Sequence, residues 1–307
     1  MEPNKGFLFI GDTIRLEDDI QEFQIIEGYV LKKASETQVE GIKSFFSNNA
    51  DSDFFRMNYE TIPEQYEDHT YYRQVEKFND WNYWIVEYDE EQSNFNLSLS
   101  LLLSKINLFP LFEKHKDSGK SYQNYAYQIF VAERKGGYKL KQITESDIQE
   151  IREIYHLLEG FGKEKHLFKY INKAINDYWL LRLIPKSTLF YTVGMFAILE
   201  ALLVHHSQTI SILHQLKTKL NLLNNRLEPS RKIKFQEFFG EVKYETIISK
   251  LYSYRSDIAH GDFSDFKGEL NILVDHKLVI EFIHHILKSV IVQSLREPQL
   301  IMDLKNC

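Results

Sequence analysis

At 307 residues, with 43% hydrophobic content, the chain is long enough to fill two ordinary cores. Its single cysteine, Cys307, excludes a disulfide framework and a cysteine-based metal site, and fits a reducing cytoplasm. A net charge of −7 excludes a surface built throughout to coat nucleic acid, while leaving room for a local basic site.

The opening MEPNKGFLFIGD has no basic flank and only a four-residue apolar run, too little for a secretory signal core. Gly6 to Leu16 and Ile25 to Lys33 then read as strands rich in β-branched and aromatic residues. Ser35, followed three residues later by Gln38, forms a capping box that starts a helix through GIKSFF. Between Thr70 and Tyr88 aromatics crowd the chain, and WNYWIVEY fits a mostly buried strand. Trp81, Tyr83, Trp84 and Tyr88 have the composition of a base-stacking platform, but few basic residues alternate with them, which favours core packing. Asn96 to Phe109 reads as a buried helix ended by Pro110, Glu113 to Lys120 as a polar linker, Tyr122 to Glu133 as a strand, and Gly136-Gly137 as a turn into Tyr138 to Ile143. No phosphate-binding glycine loop or nucleophile motif occurs in this part.

Thr144 begins a different pattern, TESDIQEIREIYHLL, with a cap signal, early acidic residues and apolar positions at helical spacing. Further helices are expected at Leu167 to Leu183, Lys186 to His206, Thr209 to Asn225, a run ending near Gly261, and Lys277 to Leu295. The longest apolar stretch, Thr188 to Val204, is interrupted by Glu200 and shorter than a membrane span needs, so a buried helix is expected and no transmembrane segment. The predicted fold class is α+β: a mixed α/β domain over residues 1 to 143, then an all-α domain over 144 to 307.

The chemistry concentrates in LYSYRSDIAHG, Leu251 to Gly261. Arginine beside histidine suits metal-independent cleavage of RNA: imidazole passes protons near neutral pH, and guanidinium holds a phosphate and its developing charge. The nucleophile would be the RNA's own 2′-hydroxyl, so DNA would be spared. Two helical residues five apart point about 140° away from each other, so Arg255 and His260 converge only if the helix ends or bends between them, a stop expected from Gly261. The structural alternative is a surface arginine and a helix-capping histidine. Asp257 has the reach to orient either side chain or to lie exposed. Glu200, a carboxylate within MFAILEALLV, must be paired, hydrogen-bonded or neutral if buried, and Arg255 is its natural partner. Lys217, Lys219, Arg226, Arg231, Lys232 and Lys234 gather positive charge with only Glu228 opposing; they read as RNA-phosphate contacts or as a solvated helix face and loop. The pairs His205-His206 and His284-His285 lack the H-E-x-x-H spacing and a cysteine partner, so no metal is expected.

LYSYRSDIAHG resembles the R-x4-6-H signature of the HEPN superfamily, in the form of its Apea-like branch, and FYTVGMFAILEALLV (Phe190 to Val204) resembles that family's A-L-E-x-L helix. The resemblance implies a helical bundle and a metal-independent endoribonuclease without cofactor. It assigns catalysis to Arg255 and His260, with Ser256 in the small polar slot after the arginine and Glu200 packed beside the motif helix. Many strongly ribonucleolytic members carry Asn, Asp or His where Ser256 stands. It also implies a homodimer through the helical domain, RNA as partner, and a setting in stress, toxin or antiviral defence. Asp262 stands where one branch carries a tyrosine that receives adenylate, so that scheme is not expected. The alternative within the resemblance is a non-catalytic module that binds nucleotides, RNA or protein.

Overall fold

A computed structural model of the chain describes residues 5–11, 14–17, 20–47, 59–66, 69–76, 83–89, 93–108, 110, 112–114, 141–207 and 209–307. The fold is α+β, with strands and their sheet first and a helical region after. The chain divides into two compact units, Met1–Tyr155 and His156–Cys307, so the division falls within a helix rather than near residue 143.

The first unit is built on a five-stranded antiparallel sheet in the order β3 (Glu22–Ile26), β4 (Tyr29–Lys33), β7 (Trp84–Asp89), β1 (Lys5–Gly11), β8 (Phe112–Lys114). β1 is apolar at consecutive positions because it is central: Leu8 and Ile10 face one side, Phe7 and Phe9 the other, and all four are buried. Leu8, Ile10, Phe23, Ile25, Leu31, Val86 and Tyr88 pack with Leu97 and Leu101 of α2 (Phe95–Leu103), and with Ile148 and Ile151 of α3 (Glu145–Glu164). Tyr83, Trp84 and Tyr88 are buried, which rules them out as a stacking platform; Trp81 lies outside the described residues. Ser35 and Gln38 form the expected capping box at α1 (Glu36–Ser47), at 2.9 and 3.4 Å.

Several expectations for this unit are corrected. Ile25 to Lys33 is not one strand but two, joined at Glu27 and Gly28, whose φ of 80° an L-residue adopts at a cost. Gly6 to Leu16 also breaks: β2 (Ile14–Leu16) leaves the main sheet and pairs in parallel with β9 (Lys141–Ile143). The helix expected to Phe109 ends at Leu103, where the Ser104 hydroxyl donates to the Leu101 carbonyl; Asn107 turns left-handed, so Pro110 is not the terminator. The expected linker begins as edge strand β8, and Glu113 within it is buried and accepts from Tyr88 and Asn94. β5 (Tyr59–Tyr66) and β6 (His69–Glu76) form a separate antiparallel pair. The strand expected at Tyr122 to Glu133 and the turn at Gly136-Gly137 lie outside the described residues.

Edge strand β3 is covered from α3. Arg152 donates from Nε to the Ile25 carbonyl at 2.6 Å and from Nη2 to the Gln24 carbonyl at 2.5 Å. A cation on the backbone of an edge strand blunts strand-to-strand association. Replacing Arg152 with alanine is expected to destabilise the first unit by about 1.5–3 kcal/mol, the range for hydrogen bonds to a charged group, as read from chemical denaturation.

The second unit is helical. Thr144 and Asp147, still in the first unit, cap α3 reciprocally, and α3 runs on into the second. Then come α4 (Lys169–Leu181), α5 (Leu189–Leu203), α6 (Ile212–Arg226), a 3-10 turn (Pro229–Arg231), α7 (Phe235–Phe239), α8 (Tyr244–His260), α9 (His276–Arg296) and α10 (Pro298–Asn306). The single helical run expected before the motif is interrupted at Gly240, which separates α7 from α8. α9 is long and apolar enough to cross a membrane by length and composition, but 78% of its apolar window is buried inside the protein. It packs against α4, α5 and α10.

One residue here is strained. Val274, just before α9, has φ 66° and ψ −69°, and the Asp275 N–H donates to the Leu273 carbonyl at 2.8 Å, a γ-turn centred on an exposed β-branched residue. Such a conformation costs on the order of 1–3 kcal/mol. Val274→Gly is therefore expected to raise the stability of the helical unit by about 1 kcal/mol, seen as a higher melting temperature.

Candidate active site

α8 positions the motif. Ile247, Ile248, Leu251 and Tyr254 are buried at helical spacing and fix its inner face. Its end is a Schellman turn: Gly261 takes φ 78°, its N–H reaches the Ile258 carbonyl at 3.3 Å, and the Asp262 N–H reaches the Asp257 carbonyl at 2.8 Å.

The stop thus comes after His260, not between His260 and Arg255. The two side chains leave a regular helix about 140° apart and about 7.5 Å along its axis, so the expected convergence within one chain does not occur. Arg255 is directed to α5, where Nε lies 3.3 Å from Glu200 Oε1 and Nη2 lies 3.4 Å from Oε2. Its guanidinium sits 5.7 Å from the ring centre of Tyr252. His260 is exposed, and its ring has no hydrogen-bond partner among the described residues.

The Arg255–Glu200 pair is close but misaligned. Both side chains are largely buried, at 23% and 17% exposure, yet Arg255 Nε and Glu200 Oε1 lack a hydrogen bond because the N–H does not point at the oxygen. Burial pushes the Glu200 carboxyl up from its ordinary value, and the charge and hydrogen bond of Arg255 pull it back only in part.

Ser256 and Asp257 are half-buried, and neither side chain bonds Arg255 or His260, so Asp257 does not orient the pair. Tyr254 faces the core instead: its hydroxyl is 2.6 Å from His276 Nδ1, and His276 Nε2 is 3.3 Å from the Lys186 carbonyl. Burial raises the Tyr254 hydroxyl to about 12, so it stays a neutral donor that ties α8 to the start of α9. Sequence reasoning missed His276; its position directly after the capping residue Asp275 was the available signal.

The six basic residues do not form one RNA-facing surface. Lys219 is buried, with Nζ 3.0 Å from the Lys305 carbonyl and 3.1 Å from both Gln215 Oε1 and His205 Nδ1; burial lowers its pKa. Arg231 is buried as well. Arg226 is paired with Glu297 at 2.8 Å, Lys234 with Glu237 at 2.7 Å, and Lys217 is half-buried. Only Lys232 is exposed and outside these pairs. Helix-terminal carbonyls and acidic partners consume the charge that the spacing advertised. The helical unit as a whole still carries 20 Lys and Arg against 16 Asp and Glu, while Met1–Tyr155 carries 17 against 28, so the positive excess lies with the motif.

The paired histidines are placed by packing. His284 is buried between Tyr178, 3.5 Å from its Nδ1, and Tyr191, which contacts Nε2. His285 Nε2 lies 3.1 Å from the Lys232 carbonyl, and His205 Nδ1 lies 2.9 Å from the Lys305 carbonyl. Among the described residues no three His, Cys, Asp or Glu side chains gather as a metal site.

Burial, with smaller contributions from Lys288 and Lys186, holds His284 well below its ordinary value, so it is neutral in the folded protein. The unfolded chain binds that proton near about pH 6.5 and the folded one only at lower pH, so stability is full above that value and falls as pH drops through the window below it. Melting temperature is expected to decline between about pH 6.5 and 5, with a shallower slope in His284→Gln.

Comparison of the chain with family models, curated proteins and solved structures yields no match.

Proposed function

We propose that the helical unit is a HEPN-like, metal-independent endoribonuclease whose reactive pair is Arg255 and His260, assembled across two copies of the chain. The observation that carries this reading is the contrast between the two side chains. Arg255 is largely buried and positioned by Glu200 and Tyr252, which keeps a guanidinium ready for phosphate, whereas His260 is exposed at the helix end and unpartnered among the described residues, as a proton-transfer group must be. Their divergence within one chain requires a histidine from a second copy beside each arginine. His260 then takes the 2′-hydroxyl proton, the oxygen attacks the adjacent phosphorus, and Arg255 stabilises the phosphorane. The imidazolium so formed returns that proton to the leaving 5′-oxygen. Products carry a 2′,3′-cyclic phosphate and a 5′-hydroxyl, and no protein-bound metal takes part. Incubation with single-stranded RNA in EDTA, followed by end-group analysis, tests this: cyclic-phosphate ends are expected, and intact RNA overturns it.

The same divergence favours a second reading, a non-catalytic module that binds a nucleotide or protein through Arg255. It predicts ligand binding lost in Arg255→Ala, with no cleavage by any variant.

A further inference from the structure

The Arg255–Glu200 pair is poorly made for a permanent strut. Charge-assisted N–H···O bonds between guanidinium and carboxylate settle at about 2.7–2.9 Å and favour a two-pronged fit. Here the separations are 3.3 and 3.4 Å, and two of the four facing atoms, Arg255 Nε and Glu200 Oε1, are buried without a hydrogen bond. Leaving such atoms unsatisfied costs more than their mutual attraction returns, so the pair is held above its best geometry and is open to exchange.

We infer that an oxyanion, the phosphodiester of a nucleic acid in the cell, displaces Glu200 from Arg255, and that Glu200 takes up one proton from solvent as it is displaced. This rests on the reading of Arg255 as a phosphate-binding group. Phosphate oxygens match the guanidinium fork at full hydrogen-bond length, which the present carboxylate does not. Glu200 would then lose its cation. Among the described residues, no other charged group acts on it from the elements packed against α5. Lys305 of α10 is occupied by the Ala201 and Val204 carbonyls at 2.7 and 2.6 Å. α6 brings Lys219, which is engaged by His205, Gln215 and the Lys305 carbonyl. α4 and α9 meet α5 through Tyr178 and the neutral His284 at Tyr191. A buried carboxylate left alone protonates, because neutralisation costs less than burying the charge. Glu200 is therefore a positioning residue in the empty site and a proton acceptor when the site fills.

The consequence is linkage: oxyanion affinity strengthens as pH falls, by up to about tenfold per pH unit, between the carboxyl pKa values of the empty and filled sites. The test is calorimetric titration with sulfate and with a short single-stranded DNA. Both carry fixed charge over this range, and the DNA lacks the hydroxyl needed for cleavage. Titrations near about pH 6 in two buffers of different ionisation enthalpy give the protons taken up per ligand bound. The His260→Gln variant is measured alongside, so that any contribution of the exposed imidazole is separated from that of Glu200.

Proton uptake is expected in wild type and in His260→Gln, and its absence in Glu200→Gln. A protonated-carboxyl band appearing in difference infrared spectra on sulfate addition gives the same answer in wild type alone, should Glu200→Gln fail to fold. Binding with no proton uptake, or with uptake unchanged in folded Glu200→Gln, overturns the inference while leaving Arg255 as the phosphate group. Binding that is absent, or equal in Arg255→Ala, overturns both.

Discussion

Arg255→Ala and His260→Ala proteins, each inactive alone, are expected to recover cleavage when unfolded together, refolded and assayed as a mixture. In the proposed symmetric pair, an arginine from one copy meets a histidine from the other, so a mixed dimer would retain one intact pairing of two. With random association the mixture should reach roughly a quarter of wild-type activity, while each variant alone loses about 10²–10⁴-fold. His260 is exposed and makes no contact that holds the fold, so His260→Ala should melt with wild type. Arg255→Ala leaves Glu200 buried without its cation, and lower stability is expected there, with the deficit shrinking on mild acidification as Glu200 protonates. A mixture that stays inactive with both variants folded would place the two side chains in separate roles.

The largest effect on stability is expected from Phe282→Ala. Phe282 on α9 is fully buried, and the rings of Phe235, Phe238 and Phe239 lie 5.3, 5.0 and 4.9 Å from it. These contacts fasten the short helix α7, only five residues long, to the buried helix α9. A helix of that length has no stability of its own and depends on this packing. Truncation of a buried phenylalanine costs about 3–5 kcal/mol through lost transfer energy and the cavity left behind. Chemical denaturation measures it; a loss under about 1 kcal/mol would mean that α7 collapses into the space and refills it. Phe282→Leu, which keeps most of the volume, should lose far less.

How much the sequence disclosed follows from where each feature takes its partners. Helices of the second unit were legible because their signals are local: apolar residues recur at helical spacing within them, and Gly261 ends α8. The Glu200–Arg255 pairing was also legible, since a carboxylate in so apolar a helix leaves few alternatives. Sheet detail was not. β8 is a strand because its residues pair with Phe7, Leu8 and Phe9, more than a hundred positions earlier, and nothing within Glu113 to Lys120 announces that. The turn at Gly28 was hidden because strand-forming residues flank it on both sides.

Charge misled for a related reason. Lys219 looks like any surface lysine in sequence, but its ammonium caps the carbonyl of Lys305, and Lys305 in turn caps α5. Helix-terminal carbonyls, which carry no sequence label, absorb cations as effectively as acidic residues do. The geometry of the motif turned on one residue. Had the helix stopped before His260, Arg255 and His260 would have met in one chain; because it stops after, they part, and the proposed site needs two copies.

The central claim is that RNA's own 2′-hydroxyl is the nucleophile at Arg255 and His260. The most direct measurement takes an RNA cut at a known position and replaces the 2′-hydroxyl at that nucleotide alone with hydrogen. Cleavage there should vanish, with cutting at other positions and binding of the RNA unchanged. Continued cleavage at the deoxy position would mean that water or a protein group attacks the phosphorus, and would contradict the mechanism.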